Sequence, residues 1–192
     1  MPEPAVKRSG RIITLESSDG KHFALQHYET LPSKLVQDAI DDDDDYESDA
    51  SSTNSQQQEE NSDSNSPQTI IPLVNVKSDT LQHIIAFLNH HAIEPLNPIT
   101  APLATSSFPE TITQEWYLRF IQDLPSEMIF KLVNAANYMD ISVLLNLTCL
   151  KVSFDLMDKN AEEIRQILNL PKLSKEEEDR ARVDHPWMFE DS

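Results

Sequence analysis

The side chains of this sequence that could do chemistry are a histidine trio, one cysteine, many carboxylates and a polar patch inside an apolar run. His83, His90 and His91 would suit a metal, and on a helix His83 and His90, seven apart, share a face. Zinc needs three or four convergent nitrogen, sulfur or oxygen ligands. Neither a cysteine nor a second histidine cluster completes the set, so no metal and no cofactor are expected. Cys149 lies in an apolar stretch, where a thiol is expected to be buried and inert. The carboxylates crowd into one hydrated segment, where water screens them and nothing tunes one for acid–base work. Gly10 and Gly20 are the only glycines, which leaves neither a phosphate-cradling loop nor a nucleophile elbow. The expectation is a protein that binds and does not catalyse. The polar patch is Asn137, Tyr138 and Asp140, set inside "LVNAANYMDISVLLNLTC", residues 132–149, which otherwise reads as buried helix.

Charge narrows the partners. The net charge is −18, and residues 35–76 contain no Lys or Arg. That gap holds Asp38, Asp41 to Asp45, Glu47, Asp49, Glu59, Glu60 and Asp63, eleven of the excess negatives. Nucleic acid requires a basic patch, and none is visible. No apolar run reaches the roughly 18 residues of a membrane span. The opening "MPEPAVKRSG" has no apolar core of a secretory signal. With one cysteine there is no intrachain disulfide, which fits an intracellular, reducing address.

The elements that must position the patch follow from periodicity. "RIITLESSDGKHFALQH" predicts a β-hairpin: Ile13 and Leu15 alternate with Thr14 and Glu16, Phe23 and Leu25 with Ala24 and Gln26, about an Asp19-Gly20 turn. "TLPSKLVQDAI" predicts a short helix started by Pro32 and Ser33. Residues 41–66 have no apolar period and strong self-repulsion, which predicts a disordered acidic insert. "TIIPLVNV" is a third strand. "SDTLQHIIAFLNHH" is a helix, with Leu81, Ile84, Ile85 and Leu88 at i, i+3, i+4 and i+7. Four prolines make residues 92–110 a second loop.

From Thr111 onward the chain reads as helical, over 112–122, 126–139 and 141–157, then from the capping pairs Asn160/Glu163 and Ser174/Glu177. The helix over 141–157 is apolar all round: Ile141, Leu144, Leu145, Val152 and Leu156 lie on one side, Val143, Leu147, Leu150, Phe154 and Met157 on the other. Either it is a central core helix, or one face packs at home and the other meets a partner. The polar patch then reads as a seam, with Asp140 as the N-cap of this helix.

In order along the chain, "ITLESSDGKHF", an acidic loop, "PLVNVKSDTLQHIIAFLNHH", Trp116-x-x-x-Phe120, "AANYMDI", "LLNLTC", "EEIR", "EEE" and a late Trp resemble the S-phase kinase-associated (Skp) adaptor family. The likeness covers residues 11–190. It is to a divergent member, because glycines usual in the family near Val143 and Asp158 are absent. The resemblance implies an α+β chain: a tail at 1–10, a BTB/POZ fold at 11–139 built on a small three-stranded sheet with helices, and a C-terminal helical F-box-binding extension at 140–192. It implies an SCF-type cullin-RING ubiquitin ligase adaptor that bridges a cullin to F-box substrate receptors, in cytoplasm and nucleus. It places Asn137 and Tyr138 at the cullin, and Leu147, Leu150, Phe154, Ile164, Leu168 and Trp187 at the F-box. A weak homodimer is a further partner state. The competing reading keeps the BTB fold outside the SCF complex, as an elongin-C-like or self-associating interaction protein.

Overall fold

The computed structural model describes residues 11–49, 69–99, 103 and 107–188. Strand β1 (Ile12–Ser17) pairs antiparallel with β2 (His22–Gln26), and parallel with β3 (Thr69–Leu73), so β1 is central in the order β2-β1-β3. The alternation works as the sequence requires. Ile13 and Leu15 face inward opposite Leu25 and Phe23, and Ile71 and Leu73 join them from β3. Pro72 has no N–H to give a ladder, and it sits on an edge strand where none is needed. The hairpin closes over Ser17–Lys21 with Gly20 at φ 76°, a left-handed position that suits a residue without Cβ.

Two elements between β2 and β3 differ from the sequence reading. Helix α1 (His27–Thr30) is a single turn that the periodicity did not mark. Helix α2 (Lys34–Asp49) begins where predicted, at Ser33, but it continues through Asp41–Asp49, which was expected to be disordered. Once Val36 and Ile40 are packed, each further residue adds a helical hydrogen bond without a new nucleation cost, and this offsets the charge crowding. The rest of the acidic insert lies outside the described residues.

Helices α3 (Ser78–Ile93), α5 (Glu115–Gln122) and α6 (Ser126–Tyr138) follow the expected pattern. The proline-rich loop is shorter than read, because α3 runs on to Ile93 and a one-turn helix α4 (Phe108–Thr111) forms at its far end. Phe108 explains α4: it is buried, edge-on to Phe154. Helix α7 (Ser142–Leu156) completes the core. Ile13, Leu15, Leu81, Ile84, Phe87, Leu132, Ile141 and Leu144 are all fully enclosed, each contributing about 2 kcal/mol of apolar burial.

By contacts the chain falls into two compact units, the first ending at Phe154 and the second beginning at Asp155, where the sequence reading drew its line after residue 139. The reason is α7, whose Leu144, Leu147 and Thr148 are fully buried in the first unit's core. The second unit carries α8 (Ala161–Ile167), α9 (Lys175–Asp184) and a 3-10 turn (Pro186–Met188). Both predicted capping boxes form, Asn160 with Glu163 and Ser174 with Glu177. No helix among the described residues is long and apolar enough to cross a membrane.

Candidate partner-binding sites

The polar patch is a helix end. Helix α6 stops at Tyr138, and Asp140 takes the left-handed conformation at φ 50°. The Ile141 N–H donates to the Ala136 carbonyl at 2.8 Å and the Asp140 N–H to the Asn137 carbonyl at 3.2 Å. These two bonds satisfy carbonyls that the helix end would otherwise leave open. Asp140 therefore closes α6; it does not cap α7 as its sequence position implied. The closure leaves Asn137 exposed and Tyr138 half-buried against the core.

Tyr138 lines a concavity of about 410 Å³. Lys131, Asn134 and Tyr138 reach it from one face of α6, and Asn75, Lys77 and Thr80 from the β3–α3 turn and the first turn of α3. Its floor is apolar, made by Val76 and Ala135. The turn is held firmly: the Val76 N–H donates to the Leu73 carbonyl, and the Val76 carbonyl accepts from Ser18. Asp19 completes the tie, accepting from the Ser78 N–H at 2.8 Å and the Ser78 hydroxyl at 2.6 Å. Those bonds, led by the Ser78 hydroxyl, draw the Asp19 carboxyl down to about 2. Lys131 is bridged to Glu127 at 3.0 Å and to Asp79 at 3.6 Å, and the Glu127 hydrogen bond holds its ammonium above the usual lysine range. Sequence reasoning found Tyr138 but missed its companions. The signal was present, since 131, 134 and 138 recur at helical spacing.

The F-box candidates divide. Leu147 is 0% and Leu150 8% exposed, so both are core residues and not a surface for a partner, contrary to expectation. Phe154 is half-buried against Phe108. Of the apolar residues on the two sides of the segment 141–157, Ile141, Leu144, Leu147 and Leu150 are buried, Val143, Leu145, Val152, Phe154 and Leu156 are half-buried, and Met157, just past the end of α7, is exposed; within α7 the exposed residues are the stripe Ser142, Asn146, Cys149 and Ser153. Cys149 is thus exposed, not buried as expected. In the second unit Ile164 and Leu168 are half-buried, and Trp187 is 71% exposed. Leu170, Leu173 and Val183 add exposed apolar surface there that the sequence reading did not single out.

The histidines serve packing. His90 lies flat on Trp116 with ring centroids 3.9 Å apart, and His91 stacks on Phe87 at 5.6 Å. His91 Nδ1 accepts from the Leu96 N–H, and burial keeps this imidazole below its ordinary pKa. Tyr117 donates to the Glu94 carbonyl at 2.6 Å, and burial pushes its phenol up to about 12. Among the described residues no group of three or more His, Cys, Asp or Glu is arranged to hold a metal.

Comparison with known proteins decides the family. The chain is 30% identical over 183 residues to SKP1-like protein 11 of Arabidopsis thaliana, spanning 95% of this chain and 99% of that protein. The chain belongs to the Skp1 family. The family model described as "Skp1 family, dimerisation domain" matches residues 142–188, from the start of α7 through the 3-10 turn. The E3 ubiquitin ligase complex SCF subunit sconC of Arthroderma benhamiae is 31% identical over 180 residues, 93% of this chain and 95% of that protein. An S-phase kinase-associated protein 1 homolog of Tetrahymena thermophila is 35% identical over 121 residues, 62% of this chain and 72% of its own length. The resemblance read from the motifs is borne out, and this Skp1-family chain carries it on a small three-stranded sheet with helices, as expected.

Proposed function

We propose that the protein is the adaptor subunit of an SCF-type cullin-RING ubiquitin ligase, bridging a cullin to F-box substrate receptors. The observation that carries this is the match, along 93% of the chain, to a protein named as an SCF subunit. In this reading the first unit has the BTB/POZ fold and engages the cullin through Asn137, Tyr138 and the concavity beside them. That surface has the makings of a partner site: an aromatic anchor, amide donors and an apolar floor. The second unit engages the F-box through Ile164, Leu168 and Trp187. A bare indole in a small helical unit otherwise leaves apolar area in water at a cost, which supports a covering partner. The work is binding, not catalysis, in cytoplasm and nucleus.

Co-purification tests this. The folded full chain is expected to retain both the N-terminal half of a cullin and an F-box peptide. Retention of neither would overturn the adaptor role. The family model's description as a dimerisation domain favours one second reading, self-association through residues 142–188. Sedimentation of the isolated chain separates a homodimer from a monomer.

A further inference from the structure

Among the described residues, the concavity beside Tyr138 is lined by two cations, Lys77 and Lys131, and by no carboxylate. This is unusual ground in a chain of net charge −18. The two cations are not equivalent. Lys131 is engaged on both sides, by Glu127 and Asp79. Lys77 is exposed, and no ion pair among the described residues takes up its ammonium. Its backbone is extended, at φ −77° and ψ 158°, and its carbonyl accepts the Leu81 N–H as α3 begins. The neighbouring Val76 is pinned from both sides, so the stem of Lys77 leaves the surface from a fixed point on the rim.

We propose that Lys77 selects the partner of this concavity by charge: the segment seated beside Tyr138 presents a carboxylate to the Lys77 ammonium. The inference rests on the cullin reading of the Tyr138 surface and deepens it. The long-range field of the chain repels an acidic segment, so a carboxylate is accommodated where a cation stands free and amide donors flank it. Asn75 and Asn134 supply those donors, and Val76 and Ala135 offer an apolar seat beside them. The complementary segment therefore pairs an aliphatic or aromatic side chain with an acidic one. An exposed pair of this kind acts chiefly on encounter rate and partner choice.

The test is titration calorimetry of the full chain against the N-terminal half of a cullin, at low and high salt. Lys77→Glu is expected to weaken binding about fivefold at low salt, with the difference shrinking as salt screens the pair. Lys77→Arg is expected to restore it, and binding of an F-box peptide to stay unchanged in both variants. A new carboxylate at the start of α3 favours that helix, so lost binding will not be lost folding. If the wild type binds and Lys77→Glu binds equally well, or more tightly, the charge assignment is overturned while the adaptor reading stands. If the wild type does not bind the cullin, both fall.

Discussion

The Ser33 hydroxyl donates a 2.7 Å hydrogen bond to the main-chain carbonyl of Met139, 106 positions along the chain. Ser33 is fully buried, and its oxygen also accepts from the Val36 N–H at 3.4 Å. The Lys34 and Leu35 N–H groups donate to the Asp140 and Met139 carbonyls. The start of α2 thus fastens the corner between α6 and α7, one residue beyond Tyr138. Ser33→Ala leaves a buried carbonyl with one long partner and α2 without its cap. It is expected to cost about 1–2 kcal/mol, read as a lower urea midpoint with an unchanged slope.

With so few glycines, three helices end on a non-glycine residue in the left-handed region: Asp140, Asp158 and Asn169, at φ 50°, 58° and 51°. Asp and Asn tolerate that conformation but do not share the freedom of glycine. Asp158 stands near a position where the family resemblance led us to expect glycine. Asp158→Gly is expected to stabilise the chain by about 0.5–1 kcal/mol, seen as a higher melting temperature. Asp158→Val, with its branched Cβ, is expected to lower it.

Acid should weaken the tie between the hairpin and α3. Asp19 has its carboxyl at about 2 against an ordinary 3.8, chiefly through the hydrogen bond from Ser78 and next through that from Ser17. A folded carboxyl held low binds fewer protons than the unfolded one. Its contribution is therefore complete above roughly pH 4 and lost as pH falls through about 2. Urea midpoints measured across that window are expected to drop more steeply for the wild type than for Asp19→Asn. Parallel curves would deny Asp19 the role.

The two proposed interfaces should separate under mutation. Tyr138→Ala is expected to weaken cullin binding by at least about tenfold, as loss of an aromatic anchor does, and to spare the F-box peptide. Trp187→Ala is expected to do the reverse. Paired titrations of each variant against both partners give the answer, and equal loss of both would point to unfolding.

Much of this was legible in the residues. The hairpin, the start of α2 at Ser33, α3, and the capping boxes at Asn160 and Ser174 all follow from local signals, because alternation, helical period and side-chain caps act within a few residues. Tyr138 was picked out as a polar intruder in an apolar run. Lys77 and Asn75 were not, because they join Tyr138 only when the β3–α3 turn folds beside α6. Helix α1 and helix α4 were missed for the same kind of reason, since each is one turn long and α4 depends on Phe108 finding Phe154.

Sequence alone determined the order of the longer elements, the capping boxes at Asn160 and Ser174, the acidic bias and, through its motifs, the family. Only the tertiary structure decided how the apolar residues of α7 are spent. Periodicity shows that Leu147 and Leu150 are apolar on a helix, and it cannot say whether a core or a partner covers them. Here the core does, leaving Cys149 in solvent. Only the fold, likewise, made Asp140 the close of α6, because a left-handed turn depends on the carbonyls it meets and not on the residue type alone.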